Sequence, residues 1–283
     1  MTASALEPAL YLVATPIGAA GDITLRALDV LRRADVIAAE DTRTLRKLLD
    51  IHGVPLAGRS VMAYHDHNAA GMRDRLVAML ADGKSIACVS EAGTPLVSDP
   101  GYDLVKAAAT AGLPVRTAPG ASALLAALCV SGLPTDRFLF AGFPPAKGAA
   151  RKTWLAEVSQ ARSTFVLYES PRRAAATLKV LATLCGPDRP AALCRELTKK
   201  FEETLRGSLA EVLAEVESRE SLKGEVVLVV GPQSNSPEDI DLDDLLSAAM
   251  DRLSVKDAVA EVTQVTGLPK RDVYQRALQL MKD

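Results

Sequence analysis

Short apolar runs alternating with helical patterns constrain this chain more than any other feature. Leu10-Tyr-Leu-Val-Ala14, Val36-Ile-Ala-Ala39, Ser60-Val-Met-Ala-Tyr64, Ser85-Ile-Ala-Cys-Val89 and Pro114-Val-Arg-Thr-Ala118 are of strand length. Among them lie helical stretches at Thr24 to Arg33, Tyr102 to Ala111 and Ala121 to Ser131, the last two stopped by Gly112 and Gly132. Continuous apolar strands separated by helices are what a parallel sheet covered on both faces requires. The pattern resumes with helix 150–161, strand 164–168, helix 172–184, strand 191–195, a short segment at 202–205, helix 209–217 and strand 225–230. A second α/β unit is predicted there.

Between the two units, Gly142-Phe-Pro-Pro-Ala-Lys-Gly148 forbids regular structure through its two prolines and two glycines. The expected organisation is a flexible N-terminus over 1–9, an α/β domain over 10–142 and a linker over 143–148. A second α/β domain over 149–232, a polar linker over 233–241 and a helical extension over 242–283 follow. In that extension Leu245, Leu246, Ala249, Met250 and Leu253 share a helix face, and Gly267 and Val273 have helix-turn-helix spacing.

Three strand-end loops are rich in small residues. Thr15-Pro-Ile-Gly-Ala-Ala-Gly-Asp22 offers Gly18 and Gly21 for close backbone approach and Asp22 as a helix cap. Cys88-Val-Ser-Glu-Ala-Gly-Thr-Pro-Leu-Val-Ser-Asp-Pro-Gly101 turns from buried strand to small polar residues at Ser90, and Pro119-Gly-Ala-Ser-Ala123 repeats the logic. Each alone is an ordinary turn. Three in one domain form the crevice that open parallel sheets use for ligands. Neither G-x-G-x-x-G nor G-x-x-x-x-G-K-[ST] is present, which disfavours dinucleotide oxidoreduction and ATP hydrolysis. Glu40-Asp-Thr-Arg43 falls where a ribose hydroxyl is held in dinucleotide folds, or is a solvated helix start. His65-Asp66-His67 has two histidines on one strand face but no further partner in view, so polar loop residues are favoured over a metal site, and no metal is expected.

A net charge of −2 excludes a generic polyanion binder, so any nucleic-acid contact must come from local basic clusters. An aromatic content of 4% argues against a base-stacking RNA reader. The four cysteines, Cys88, Cys129, Cys185 and Cys194, lack C-x-x-C spacing and read as reduced core residues. The longest apolar stretch, Ala121 to Val130, is far below the roughly 20 residues of a membrane span. A cytoplasmic protein is expected.

Taken together, Val13-Ala-Thr-Pro-Ile-Gly18, Ala39-Glu-Asp-Thr-Arg43, His65-Asp-His-Asn68 and Ser90-Glu-Ala-Gly-Thr-Pro95 closely resemble one family. Asp99-Pro-Gly101, Tyr168-Glu-Ser-Pro171, Arg195-Glu-Leu-Thr-Lys199 and Lys223-Gly-Glu225 continue the match in order. It is the ribosomal RNA small-subunit methyltransferase I family, a branch of the tetrapyrrole-methylase superfamily. Glu91 stands where that family usually has Asp, and Ala121 where it has Pro. The resemblance implies two α/β domains with S-adenosylmethionine (SAM) in the cleft between them, a homodimer, and 2′-O-methylation of a cytidine in the decoding region of 16S rRNA. It implies cofactor contacts at Pro16, Gly93, Thr94, Val97, Ser122, Ala123, Glu169 and Leu197. Proton removal from the ribose hydroxyl calls for a carboxylate or lysine, with Glu91, Glu169 and Lys199 as candidates. Arg43, Lys147, Arg151, Arg172, Arg173, Lys199 and Lys200 are the expected RNA contacts, each alternatively an ordinary surface charge. A sister enzyme acting on a small tetrapyrrole-like substrate is the alternative, disfavoured by the Glu40 to Arg43 and His65 to Asn68 stretches and by the tail.

Overall fold

The computed structural model describes residues 5–65, 68–98, 101–233, 242–266 and 268–281. Residues 1–4, Asp66, His67, Asp99, Pro100, 234–241 of the expected second linker and Gly267 lie outside the described residues. The chain forms two compact units, Met1–Pro232 and Gln233–Asp283.

The first sheet comprises β1 (Leu10–Val13), β2 (Val36–Ala39), β3 (Ser60–Ala63), β4 (Ile86–Val89) and β5 (Val115–Ala118). Its order is β3-β2-β4-β1-β5 and every pairing is parallel, as the unbroken apolar runs require. Alternation along each strand feeds two cores. Tyr11, Val13, Ile37 and Val89 pack with α1 (Leu25–Arg33) and α2 (Thr42–Ile51) through Leu28, Leu31, Leu45 and Leu49. Leu10, Ala38, Ile86 and Cys88 face α3 (Ala69–Ala81) and α4 (Tyr102–Thr110) through Leu76, Leu80 and Leu104. Thr24, not the expected Asp22, caps α1: its hydroxyl accepts the Ala27 N–H at 3.0 Å. Residues 5–9, expected to be flexible, are fastened instead. Ala9 is fully buried and its carbonyl accepts the Ile86 N–H at 3.0 Å.

The second sheet comprises β6 (Phe138–Gly142), β7 (Thr164–Glu169), β8 (Pro190–Arg195), β9 (Glu203–Ser208) and β10 (Val226–Val230), in the order β6-β7-β10-β8-β9. It is mixed, with β6 parallel to β7 and the remaining pairs antiparallel. The sequence reading assigns residues up to 142 to the first domain, whereas β6 hydrogen-bonds to the second sheet. The Pro/Gly boundary signal lies just beyond an edge strand, and the strand's pairing is a long-range property that local punctuation does not report. One face of this sheet packs on α6 (Gly148–Ser159), α7 (Pro171–Cys185) and α8 (Leu209–Glu217), with Leu155, Leu178 and Val212 against Phe165, Leu193 and Leu228. The other face takes α5 (Ala123–Ser131), whose Ala127 and Leu128 meet Val166, Ala192, Cys194 and Val227. Because α5 directly follows β5, it binds the two sheets into one unit and sets the cleft between them.

The cysteines are free. Burial pushes the Cys88 thiol up to about 12 and Cys194 up to about 11, which fits inert core residues. Cys129 departs from the core expectation, being exposed on α5.

An ion-pair network closes the β8–β9 edge. Glu203 takes Arg219 at 2.8 Å and Arg195 at 2.9 Å. Hydrogen bonds from Arg219, then Arg195, hold its carboxyl down to about 2 against partial burial. A depressed folded-state pKa contributes stability that is full above the unfolded value of about 4.3 and is lost as pH falls toward 2. Glu203→Gln is expected to lose on the order of 2 kcal/mol at pH 7, allowing for partial exposure. Urea unfolding at pH 7 and pH 3 should show the wild-type advantage shrinking at the lower pH.

The second unit is a three-helix cluster of α9 (Leu242–Met250), α10 (Val255–Thr266) and α11 (Lys270–Leu280). Leu246, Ala249, Val259, Val262, Val273 and Ala277 form its core, and Arg276 of α11 pairs with Asp243 of α9.

Candidate functional site

The three small-residue loops meet at the carboxyl ends of β1, β4 and β5. Thr15 and Gly93 exchange backbone hydrogen bonds at 2.9 and 3.0 Å, joining the first loop to the second. The Thr94 hydroxyl donates to the Ala121 carbonyl at 2.9 Å, joining the second to the third. Gly93 has φ +81, and a Cβ there would stand 3.3 Å from Ile17 Cγ2. The Ala92-Gly-Thr-Pro95 stretch is therefore a close-packed seam rather than a free turn.

This seam floors a cleft of about 430 Å3, within the range of cofactor pockets. Gly93, Thr94, Val97, Ser122, Ala123 and Glu169 line it, so six of the eight residues nominated for the cofactor share one wall system. Pro16 and Leu197 do not line it. Leu197 is buried in the α5 interface beside Ile17, and its carbonyl would stand 3.0 Å from a Cβ at Gly18. Backbone strain concentrates at the site: of five described non-glycine residues with positive φ, Leu96, Ser98, Glu196 and Thr198 lie in two loops bordering this region.

The catalytic nominees separate sharply. Glu169 alternates toward α6 and α7, and its side chain is 0% exposed. Its Oε1 accepts from the Ser170 N–H at 2.7 Å and Arg173 Nε at 2.8 Å; its Oε2 accepts from Arg151 Nη2 at 2.7 Å and the Thr177 hydroxyl at 2.6 Å. Burial alone would raise its pKa, but hydrogen bonds from Thr177, Arg151 and Ser170 hold it below the ordinary glutamate value. All four lone-pair positions are taken, so the carboxylate is an anchor and has no site for a substrate proton. Lys199 is likewise engaged, bonding Glu225 at 2.9 Å and Glu196 at 3.0 Å. Burial would lower its pKa, yet those two carboxylates raise it, which keeps the ammonium charged and unable to act as a base. Glu91 is exposed and lines the cleft, with its N–H donating to Glu40 Oε2 at 2.9 Å.

The basic nominees divide too. Arg151 and Arg173 are spent on Glu169, and Lys199 on its carboxylates. Arg43 is 92% exposed, with Asp41 at 3.7 Å. Lys147 and Arg172 are exposed and make no ion pair among the described residues, while exposed Lys200 lies 5.4 Å over the Phe201 ring.

Phe143, Tyr168 and Glu225 also line the cleft but were not nominated, and Glu40, from the stretch weighed for a ribose contact, lines it as well. Asp41 caps α2, accepting from the Arg43 and Thr44 N–H groups at 2.7 and 3.3 Å, so the helix-start reading holds for Asp41 while its neighbour Glu40 faces the cleft. An apolar residue left in a Pro/Gly loop was the available signal for Phe143.

Two five-stranded α/β sheets joined through α5, with a strand-end cleft, define a class. The sequence profile described as Tetrapyrrole (Corrin/Porphyrin) Methylases matches residues 9–213, and that described as RsmI C-terminal HTH domain matches 236–281. Among solved structures, the fold is similar to diphthine synthase (TM-score 0.62, 17% identity, 79% of this chain and 89% of that chain). It is also similar to uroporphyrin-III C-methyl transferase from Thermus thermophilus complexed with S-adenyl homocysteine (TM-score 0.53, 22% identity, 79% and 97%). Proteins named Ribosomal RNA small subunit methyltransferase I are much nearer in sequence. That of Mesorhizobium japonicum is 47% identical over 97% of this chain and 93% of its own, and that of Synechocystis sp. is 43% identical over 97% and 99%. The chain belongs to the ribosomal RNA small subunit methyltransferase I family.

Proposed function

We propose that this protein is an rRNA methyltransferase that uses SAM to methylate the 2′-oxygen of a cytidine in the decoding region of 16S rRNA, acting as a cytoplasmic homodimer. The observation that carries the reading is the convergence of Gly93, Thr94, Val97, Ser122 and Ala123 on one cleft, in a chain nearly half identical to relatives named for rRNA methylation. The residues suit a cofactor of this kind: the seam at Gly93 is so close that a Cβ already meets Ile17, leaving main chain to line the floor. SAM supplies an activated methyl group when bound. The protein's part is alignment of the ribose oxygen and removal of its proton. Among the described residues, Glu91 is the one nominated catalytic residue whose carboxylate makes no hydrogen bond or ion pair, which leaves it to take that proton, and its main chain is positioned by Glu40. The tetrapyrrole alternative has the profile over residues 9–213, but its structural neighbours are below 25% identity and carry the fold alone, whereas the relatives at 43–47% identity are named for rRNA methylation. Mapping ribose methylation on 16S rRNA from cells with and without the protein tests the reading. Loss of one 2′-O-methylcytidine is expected; an unchanged map overturns it.

The free cations give a second test. Arg172→Ala is expected to weaken binding to the small subunit and reduce the salt slope by about one unit, with SAM affinity constant. Filter binding across a salt series measures this. An unchanged slope assigns Arg172 to the solvated surface.

A further inference from the structure

Phe143 is 55% exposed, yet it belongs to the cleft wall. Its ring stands edge-on to Tyr168 at 5.2 Å and 61°, and Tyr168 meets Phe140 in the same way at 4.9 Å and 65°. The Tyr168 hydroxyl accepts the Leu124 N–H at the start of α5 at 3.1 Å, which locks the middle ring. The loop carrying Phe143 is itself fastened: Arg151 donates to the Pro145 carbonyl at 3.1 Å and Arg173 to the Ala146 carbonyl at 3.5 Å. Both arginines are held by Glu169. On the other side, a Cβ at Gly142 would stand 3.4 Å from the Ser98 hydroxyl, so the loop touches the first sheet's loop across the cleft.

An aromatic face held rigidly in water is a pre-organised stacking surface. Its neighbours say what for. The Arg173–Ala146 contact joins the segments that carry Arg172 and Lys147, two exposed cations that make no ion pair among the described residues. SAM carries no phosphate, whereas a nucleotide brings a planar base and flanking phosphates together.

We propose that Phe143 is the platform on which the base of the nucleotide to be methylated stacks, making it a substrate-binding residue with Lys147 and Arg172 flanking the phosphates. The proposal rests on the rRNA methyltransferase reading. Phe143→Ala and Phe143→Tyr are compared with wild type in transfer of tritiated methyl groups from SAM to small ribosomal subunits from cells lacking the protein. For Phe143→Ala, KM for subunits should rise about ten-fold or more, with SAM affinity by calorimetry and Tm unchanged; Phe143→Tyr should restore KM. An unchanged KM overturns the platform, and so does weakened SAM binding with unchanged KM for subunits, which would give the ring to the cofactor. Wild-type protein that transfers nothing to the subunits overturns the rRNA reading itself, and the platform with it.

Discussion

Gly93→Val is expected to lose SAM affinity by about ten- to a hundred-fold while the protein still folds. At φ +81 a Cβ already meets Ile17 Cγ2 at 3.3 Å and the Ala121 carbonyl at 3.7 Å. The two γ-methyls must then enter the cleft wall, where overpacking costs about 1–3 kcal/mol. The left-handed backbone adds about 1–2 kcal/mol of strain, so Tm should fall modestly. Gly21→Ala is the control, since its Cβ meets nothing within 4 Å and its backbone is not left-handed. Calorimetry with SAM on both variants decides. Normal binding by Gly93→Val would mean that the seam is not the cofactor floor.

The second large effect is on stability. Glu169→Gln leaves Arg151 and Arg173 facing an uncharged amide in a site where the carboxylate had four donors. Breaking a buried pair costs about 3–5 kcal/mol; the arginines, 15% and 31% exposed, recover part of this by turning to water. A loss of about 3 kcal/mol at pH 7 is expected, read as a lower urea midpoint at constant slope. Because the folded-state pKa is depressed, the wild-type contribution is full above about 4.3 and shrinks as pH falls below it. A midpoint unchanged at pH 7 would show that the network is not a stabilising anchor.

These two residues differ in how legible they were. Gly93 sat in a strand-end loop, and its position in a crevice followed from the parallel sheet that the apolar runs demanded. Glu169 was nominated through the family resemblance of Tyr168-Glu-Ser-Pro171, but strand alternation turns its side chain to the opposite face, toward α7.

From sequence alone, period and punctuation determined the five parallel strands, the second α/β unit and the loops that meet at the cleft, because burial on two faces and glycine-dependent turns are local requirements. Tertiary structure alone decided which charges are spent and which remain. Arg172 and Arg173 are adjacent in the chain, yet one is exposed and the other is bound to Glu169. It also gave β6 to the second sheet and placed Phe143 at the cleft mouth. A charge or an aromatic ring takes its role from the partner across space, and in these cases that partner comes from another element of the fold.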